Sequence, residues 1–408
     1  MRRALVLAVV FAVGSGSGCA ADYPDAEHSP NGPGVTYEVL AWGLSSPRGL
    51  AVDVDGSVYV AEAGTGGSEC VDPKAGKCFG TVGAVYRYTG LDSGSPVRST
   101  VATGLLSTAI PRPDGAEVVG VDGIDFTDSG ELVGVVGFSS PGLRSAFDTV
   151  TPTFVPSAEI AAAIDGQAGH VMRFGPNGVV RPIVDVGSTD YAWADANKDA
   201  AWAPNGQYPD SNPYAVLAED DRMWVADAGA NTVSEIVSEG AARIPRLIAY
   251  IPSPAKGTAS VPTCLAKSGH WLYVGTLDFV GNLASPQPTS KVYRIDVNGI
   301  GASGADPFGS AELWAEGFNP ITACAVINGQ LYVSEYMTKA SKYEFGAVVA
   351  VRIDRDGSAG SRRTMGTDLV HPGGIAALGT WIIVVNHSVL PGATTRNEPG
   401  GQIVRLLA

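Results

Sequence analysis

The chain is expected to be an all-β protein, a six-bladed β-propeller with four-stranded blades, and three observations carry that expectation. Six copies of one hairpin unit lie between Ser46 and His387, each an apolar segment, a Gly-containing tight turn and a second apolar segment. A third alternating segment follows the copies, and a more polar one precedes them. The chain also begins on a segment of the outer type and ends on one of the third type, so a closed ring requires both termini in one blade. A unit repeated at this spacing cannot bury its apolar face alone and must pack on its neighbours.

The copies read as follows along the chain. The first is Pro47-Arg-Gly-Leu-Ala-Val, a turn at Asp55-Gly56, then Val58 to Glu62, with Ala84–Tyr88 as its third segment. The second, more degenerate, runs from Asp122 through Ser129-Gly130 to Val136, and His170–Phe174 follows. The third joins Asn212–Leu217 to Met223–Asp227, followed by Thr232–Ile236. The fourth pairs Pro262–Ala266 with Trp271–Val274 across Ser268-Gly269, and the fifth pairs Asn319–Ala325 with Leu331–Glu335 across Asn328-Gly329. Their third segments are Lys291–Ile295 and Val348–Arg352. The sixth couples His371–Ala377 to Trp381–Asn386 and takes the terminal Gln402–Leu406 as its third segment. Asp-Gly, Asn-Gly and Ser-Gly turns supply the positive φ that tight hairpins need. Outer segments are Val39–Gly43, Val101–Gly104, Ile183–Val186, Leu247–Tyr250 and Leu313–Gly317. The stretches Ser139–Gln167 and Gly187–Ser211 read as long loops, with Phe147, Phe154, Tyr191, Trp193, Trp202 and Tyr208 available to wall a pocket or to pack on the body.

Composition agrees with a loop-dense β fold. The 408 residues are 45% hydrophobic, with 52 Gly and 27 Pro, and the net charge is −14. That balance excludes nucleic acid and anionic membrane surfaces as partners of the main surface, because both require clustered Lys and Arg.

Residues 1–18 read as an export signal: Arg2-Arg3, then the apolar run Ala4–Val13, too short for a permanent span. Ser17-Gly18-Cys19-Ala20 resembles a lipobox, which predicts lipidation at Cys19; cleavage near Ala20-Ala21 is the alternative. Residues 19–34 then form a flexible tether, and 35–408 the propeller. The expected location is the outer side of the cell membrane, or a secreted or periplasmic space. Setting Cys19 aside leaves four cysteines, an even number suited to an oxidising compartment. Cys70 and Cys78 share one Gly-rich loop and predict a staple. Cys264 and Cys324 stand on inner strands of adjacent blades, offset by one residue when the copies are aligned, and read either as a bridge or as two thiols.

No nucleophile elbow, zinc-protease helix, P-loop or dinucleotide fingerprint occurs in the mature chain. Asp195–Asp199 copies half of a calcium loop but has Ala200 and Gly206 where Gly and Glu belong, and reads as a turn. The chemistry concentrates where the repeats break symmetry. The start of each inner strand and the end of the next share one edge, so all six meet around one mouth of the channel. The ends are Glu62, Val136, Asp227, Thr276, Glu335 and Asn386; the starts include Arg48, Asp122, Asn212, Asn319 and His371. The candidate ligand-binding set is Arg48, Glu62, Asn212, Asp227, Asn319, Glu335, His371 and Asn386. Oxygen ligands Glu62, Asn212, Asp227 and Glu335 suit calcium (Ca2+), which takes six to eight oxygens; strand-end caps bonded to backbone are the alternative reading.

Pro47-Arg-Gly-Leu-Ala with Val58 to Gly64, the Cys-bearing loop, Asp210-Ser-Asn-Pro-Tyr214, Val225-Ala-Asp-Ala-Gly-Ala-Asn231 and Val261-Pro-Thr263 resemble the ScyD/ScyE family of exported bacterial propellers. The likeness runs from about Val35 to the C-terminus and implies an exported propeller without implying a substrate. Thr276 stands where members often carry Glu, which removes a carboxylate from the mouth. A more distant likeness is to calcium-dependent lactonase and gluconolactonase propellers. Two functions follow as expectations: a monomeric, lipid-anchored module binding a small molecule or protein at the mouth, or a calcium-dependent hydrolase with a carboxylate or His371 as base.

Overall fold

A computed structural model describes residues 36–72, 77–112, 115–150, 153–204, 209–240, 242–254, 258–300, 306–390 and 400–407. Residues 1–18, read as an export signal, Cys19, the rest of residues 19–34, read as a tether, and Tyr208 lie outside the described residues.

Six antiparallel sheets follow one another around a ring. From the channel outward, blade I is Pro47–Val52, Val58–Glu62, Lys77–Thr89 and Val97–Arg112. Blade II is Val121–Phe126, Leu132–Val136, His170–Phe174 and Val180–Asp185. Blade III is Pro213–Ala218, Arg222–Asp227, Thr232–Glu239 and Ala242–Tyr250. Blade IV is Pro262–Ser268, Trp271–Thr276, Ser290–Asp296 and Ala311–Phe318. Blade V is Ile321–Ile327, Gln330–Glu335, Gly346–Ile353 and Ala359–Leu369. Blade VI joins Ile375–Leu378, Trp381–Asn386 and the C-terminal Gly401–Leu406 to the N-terminal strand Tyr37–Leu44. That last pairing is the expected closure, reinforced where Leu407 N–H donates to Thr36 O.

Two features depart from the sequence reading. Blade I is six-stranded, because its third and fourth strands overrun the blade and recruit Glu69–Asp72 and Gly115–Val119. The two stretches read as loops contain helices: α1 (Ser140–Val150), α2 (Ala158–Gln167) and α3 (Gly187–Asn197), with a further short α4 (Phe279–Ala284) in blade IV. In α2 the Ser157 hydroxyl accepts from Ile160 N–H, and Ile160, Ala163 and Ile164 bury one face. Asp195 stands within α3 and pairs with Lys198 at 2.8 Å, so the half-matched calcium loop is a helix end.

The core lies between blades. Buried Val, Ile, Leu and aromatic side chains of one blade meet those of the next, as where Trp224 and Ile248 of blade III pack with Leu272 and Val274 of blade IV. The helices cover blades I to III: Phe147 and Phe154 meet Phe79, with ring centroids 5.6 and 6.0 Å from it. Trp193 and Trp202 pack with Tyr250 and Phe308. These aromatic side chains therefore pack on the propeller body.

Candidate functional site

The inner strands of blades I to V share a register shift at their first residues. Pro47 pairs with Glu62 but Leu50 with Val60; Pro213 pairs with Asp227 but Ala215 with Ala226; blades II, IV and V repeat the pattern. Each inner strand thus holds one residue more than its partner, a β-bulge, and a bulge re-aims side chains at a rim. Arg48, Asp122, Tyr214, Thr263 and Thr322 occupy these positions, and all five line the channel.

Small residues let the inner strands close on one another. A Cβ on Gly49 would stand 2.5 Å from Asp122 O, and one on Gly374 would stand 2.5 Å from Arg48 O. Hydroxyls then link blade to blade: Thr263 Oγ1 donates to Ile321 O at 2.6 Å and Thr322 Oγ1 to Pro372 O at 2.7 Å. Between blades IV and V the link is covalent, because Cys264 and Cys324 are bridged; Cys70 and Cys78 are bridged as well.

A cavity of about 80 Å³ occupies the axis, and a second of about 60 Å³ opens at the strand starts. Arg48, Asp122, Tyr214, Thr263 and Thr322 line both. Asn212 and Glu117 join the second, whose remaining wall is largely apolar: Val118, Val119, Leu277, Tyr336 and Val389. Arg48 Nη2 donates to Val118 O at 2.7 Å, and its Nε stands 3.6 Å from Asp122 Oδ1. Burial pushes the Asp122 carboxyl up to about 7, against the pull of Arg48 and of the Gly120 amide. Burial likewise raises Tyr214 to about 12, with the Arg48 guanidinium opposing it.

The sequence-predicted residues divide sharply. Arg48 and Asn212 line the mouth, and His371 stacks on Tyr336 with centroids 4.3 Å apart. The strand-end residues are turned into their own blades. Glu62 accepts from Ser45 N–H at 2.8 Å and from Arg98 at 2.8 Å. Asp227 Oδ1 accepts the amides of Asn212, Gly229 and Ala230, and its Oδ2 accepts Ser211 Oγ. Glu335 accepts both the backbone and side-chain N–H of Asn319 at 2.9 Å, and Asn386 Oδ1 accepts Val370 N–H at 2.7 Å. Asn319 is thereby spent on Glu335, and Asn212 Oδ1 accepts Phe138 N–H.

The oxygens of the four proposed calcium ligands are instead engaged as caps: Glu62 in blade I, Asn212 and Asp227 in blade III and Glu335 in blade V each accept a backbone N–H. Among the described residues, no group of three or more His, Cys, Asp or Glu side chains gathers where a metal ion could be held. The candidate set had also left out Asp122, Tyr214, Thr263, Thr322 and Tyr336. The signal for the first four was present: each is the second residue of its inner segment when the copies are aligned by strand pairing.

No family model matches the chain, and no curated protein matches its sequence. Solved structures similar to it include a Thermus thermophilus protein assigned as a glucose dehydrogenase-type oxidoreductase: 13% identity, 92% of this chain and 100% of that one, TM-score 0.47. A gluconolactonase from Xanthomonas campestris aligns at 12% identity over 91% of this chain and 89% of its own, with TM-score 0.45. A streptogramin B lyase aligns at 12% identity over 91% and 96%, with TM-score 0.43. The fold assignment rests on the sheet order described above.

Proposed function

We propose that this chain is an exported binding propeller of the ScyD/ScyE type, tethered through a lipid on Cys19, whose channel mouth takes a small molecule. The observation that carries the binding reading is a buried Arg48–Asp122 ion pair facing a largely apolar cavity at the mouth where the strand ends differ from copy to copy. Polar groups set in an apolar concavity are the usual makeup of a small-molecule site. Two disulfides support an oxidising compartment. The resemblance from Val35 onward supports the family.

The calcium-dependent hydrolase reading needs Glu62, Asn212, Asp227 and Glu335 as ligands. Their hydrogen bonds to backbone and to Arg98 already occupy the oxygens, so the donor set does not fit the ion and no step is derived through it.

Val119 lines the mouth and tests the reading. A fragment collection screened by ligand-observed NMR should yield compounds that bind the wild-type protein and are displaced from a folded Val119→Trp variant. Equal binding to both proteins would remove the mouth as the site.

A further inference from the structure

The mouth holds two buried polar groups whose hydrogen-bonding capacity is unmet. Asp122 is 1% exposed, and neither of its oxygens has a partner in hydrogen-bond geometry. Arg48 Nε, at 3.6 Å from Asp122 Oδ1, is a donor equally without an acceptor. Folded proteins leave few such groups, and each one calls for a partner that completes it.

The neighbouring groups leave these atoms open: the Gly120 amide and Arg48 pull on Asp122 without reaching hydrogen-bond geometry, and the Tyr214 hydroxyl lies against the Arg48 guanidinium and not against the carboxylate. Thr263 and Thr322 spend their protons on backbone carbonyls, and Arg48 Nη2 is held by Val118 O. The buried atoms left unmet are Arg48 Nε, a donor, and the two Asp122 oxygens. Gly137 has no Cβ, which lets Val119 Cγ1, Asn212 Oδ1 and Asp122 Oδ2 pack to 2.4, 2.6 and 2.9 Å from where a Cβ would stand, so the two oxygens sit side by side against an apolar methyl.

From these orphans we infer that the mouth takes a neutral small molecule with a compact apolar body and a donor and an acceptor side by side on its polar head, as in a cis-amide or lactam. The ligand donor bonds Asp122 and its acceptor bonds Arg48 Nε, while the body lies against Val118, Val119, Leu277 and Val389. An anionic head would meet the Asp122 carboxylate and the Asn212 carbonyl oxygen. A cationic head would meet the guanidinium. Arg48 and Asp122 offset each other and Glu117 on the rim faces the Lys77 charge, so what remains to be matched is a dipole. This inference rests on the mouth being the binding site and adds the chemical class of the occupant.

Four probes of similar size separate the possibilities on the full chain: δ-valerolactam, N-methyl-δ-valerolactam, cyclohexylammonium and cyclohexanecarboxylate, titrated by saturation-transfer NMR at pH about 8, above the point at which Asp122 ionises. The lactam should bind at least roughly tenfold more tightly than its N-methyl derivative, which lacks the donor. In Asp122→Asn, a near-isosteric change, lactam affinity should fall by roughly tenfold and cyclohexanecarboxylate should gain, since Arg48 then stands unpaired. Equal binding of the two lactams to wild-type protein, or a preference for either charged probe, overturns the inference regardless of how the variant folds. A charged probe that binds wild type and is lost in Val119→Trp would still leave the mouth as a binding site. Failure of all four probes on folded wild-type protein would overturn the class and the site together.

Discussion

Asp227 shows why polar strand ends in this repeat are structural. The residues that lead into an inner strand carry amides outside the regular ladder, and a side chain at the end of the neighbouring strand supplies the missing acceptor. Glu62 does this for Ser45, Glu335 for Asn319, Asn386 for Val370, and Asp227 for Asn212, Gly229 and Ala230. Sequence pattern identified these positions but not their direction, because alternation reports a face of the strand while a bulge redirects the residue opposite it. Asp227→Ala strands three amides and the Ser211 hydroxyl in a fully buried place. It should therefore cost about 3–5 kcal/mol of unfolding free energy. Urea denaturation measures this, and the loss should be the same in EDTA and in calcium. Recovery of stability by calcium in wild type but not in the variant would restore Asp227 as a metal ligand.

At the scale of elements, the Cys264–Cys324 bridge explains what the sequence could and could not convey. The offset of one residue between the two aligned positions looked unfavourable because successive side chains of a strand point to opposite faces. In a ring of blades, however, the face of blade IV that looks toward blade V is opposite in parity to the face of blade V that looks back. Residues one apart in the aligned copies therefore meet across the gap, and these two do, with Cα atoms 5.4 Å apart. The helices were illegible for another reason: α2 presents only one turn-repeat of apolar residues, Ile160, Ala163 and Ile164, within a stretch already rich in Pro and Gly. The bridge closes a loop with sequence separation 60, against 8 for Cys70–Cys78. Loop-closure entropy then predicts a loss of about 4 kcal/mol for the Cys264→Ser/Cys324→Ser double variant and under about 3 kcal/mol for Cys70→Ser/Cys78→Ser. Guanidinium unfolding of the two variants checks the order; a costlier loop staple would contradict it.

Over the whole molecule, burial of acidic groups sets how stability responds to pH. Glu62, Asp122 and Asp210 are each pushed up to about 7, and Asp125 and Asp278 to about 6, in every case first by burial. Asp190 on α3 is also raised, by burial and then by the neighbouring charge of Asp227; Asp227 and Glu335 are raised as well, again first by burial. An acid whose folded pKa exceeds its unfolded one holds its proton more tightly when folded. Its contribution is therefore fully present below about pH 4 and is lost as pH rises through about 6 to 7. His387 has the opposite sense: burial lowers it to about 4, so its contribution is present above about 6.5 and is lost as pH falls between those values. Lys77, lowered to about 8, carries a penalty already complete below that pH and constant across the window. Several carboxyls oppose one imidazole, and a net charge of −14 adds self-repulsion as the remaining acids ionise. The melting temperature should accordingly be higher near pH about 5 than near pH about 8, by several degrees, with the fall running progressively from about 4 and levelling off above about 7. Scanning calorimetry across that range tests the sign. Asp190→Asn should flatten part of the slope, because it replaces a buried proton-binding group by one that stays neutral beside Ser234 and Asp227. A melting temperature that climbs from about 5 to 8 would mean that the buried carboxylates are stabilised as anions, and that burial is not the term that governs them.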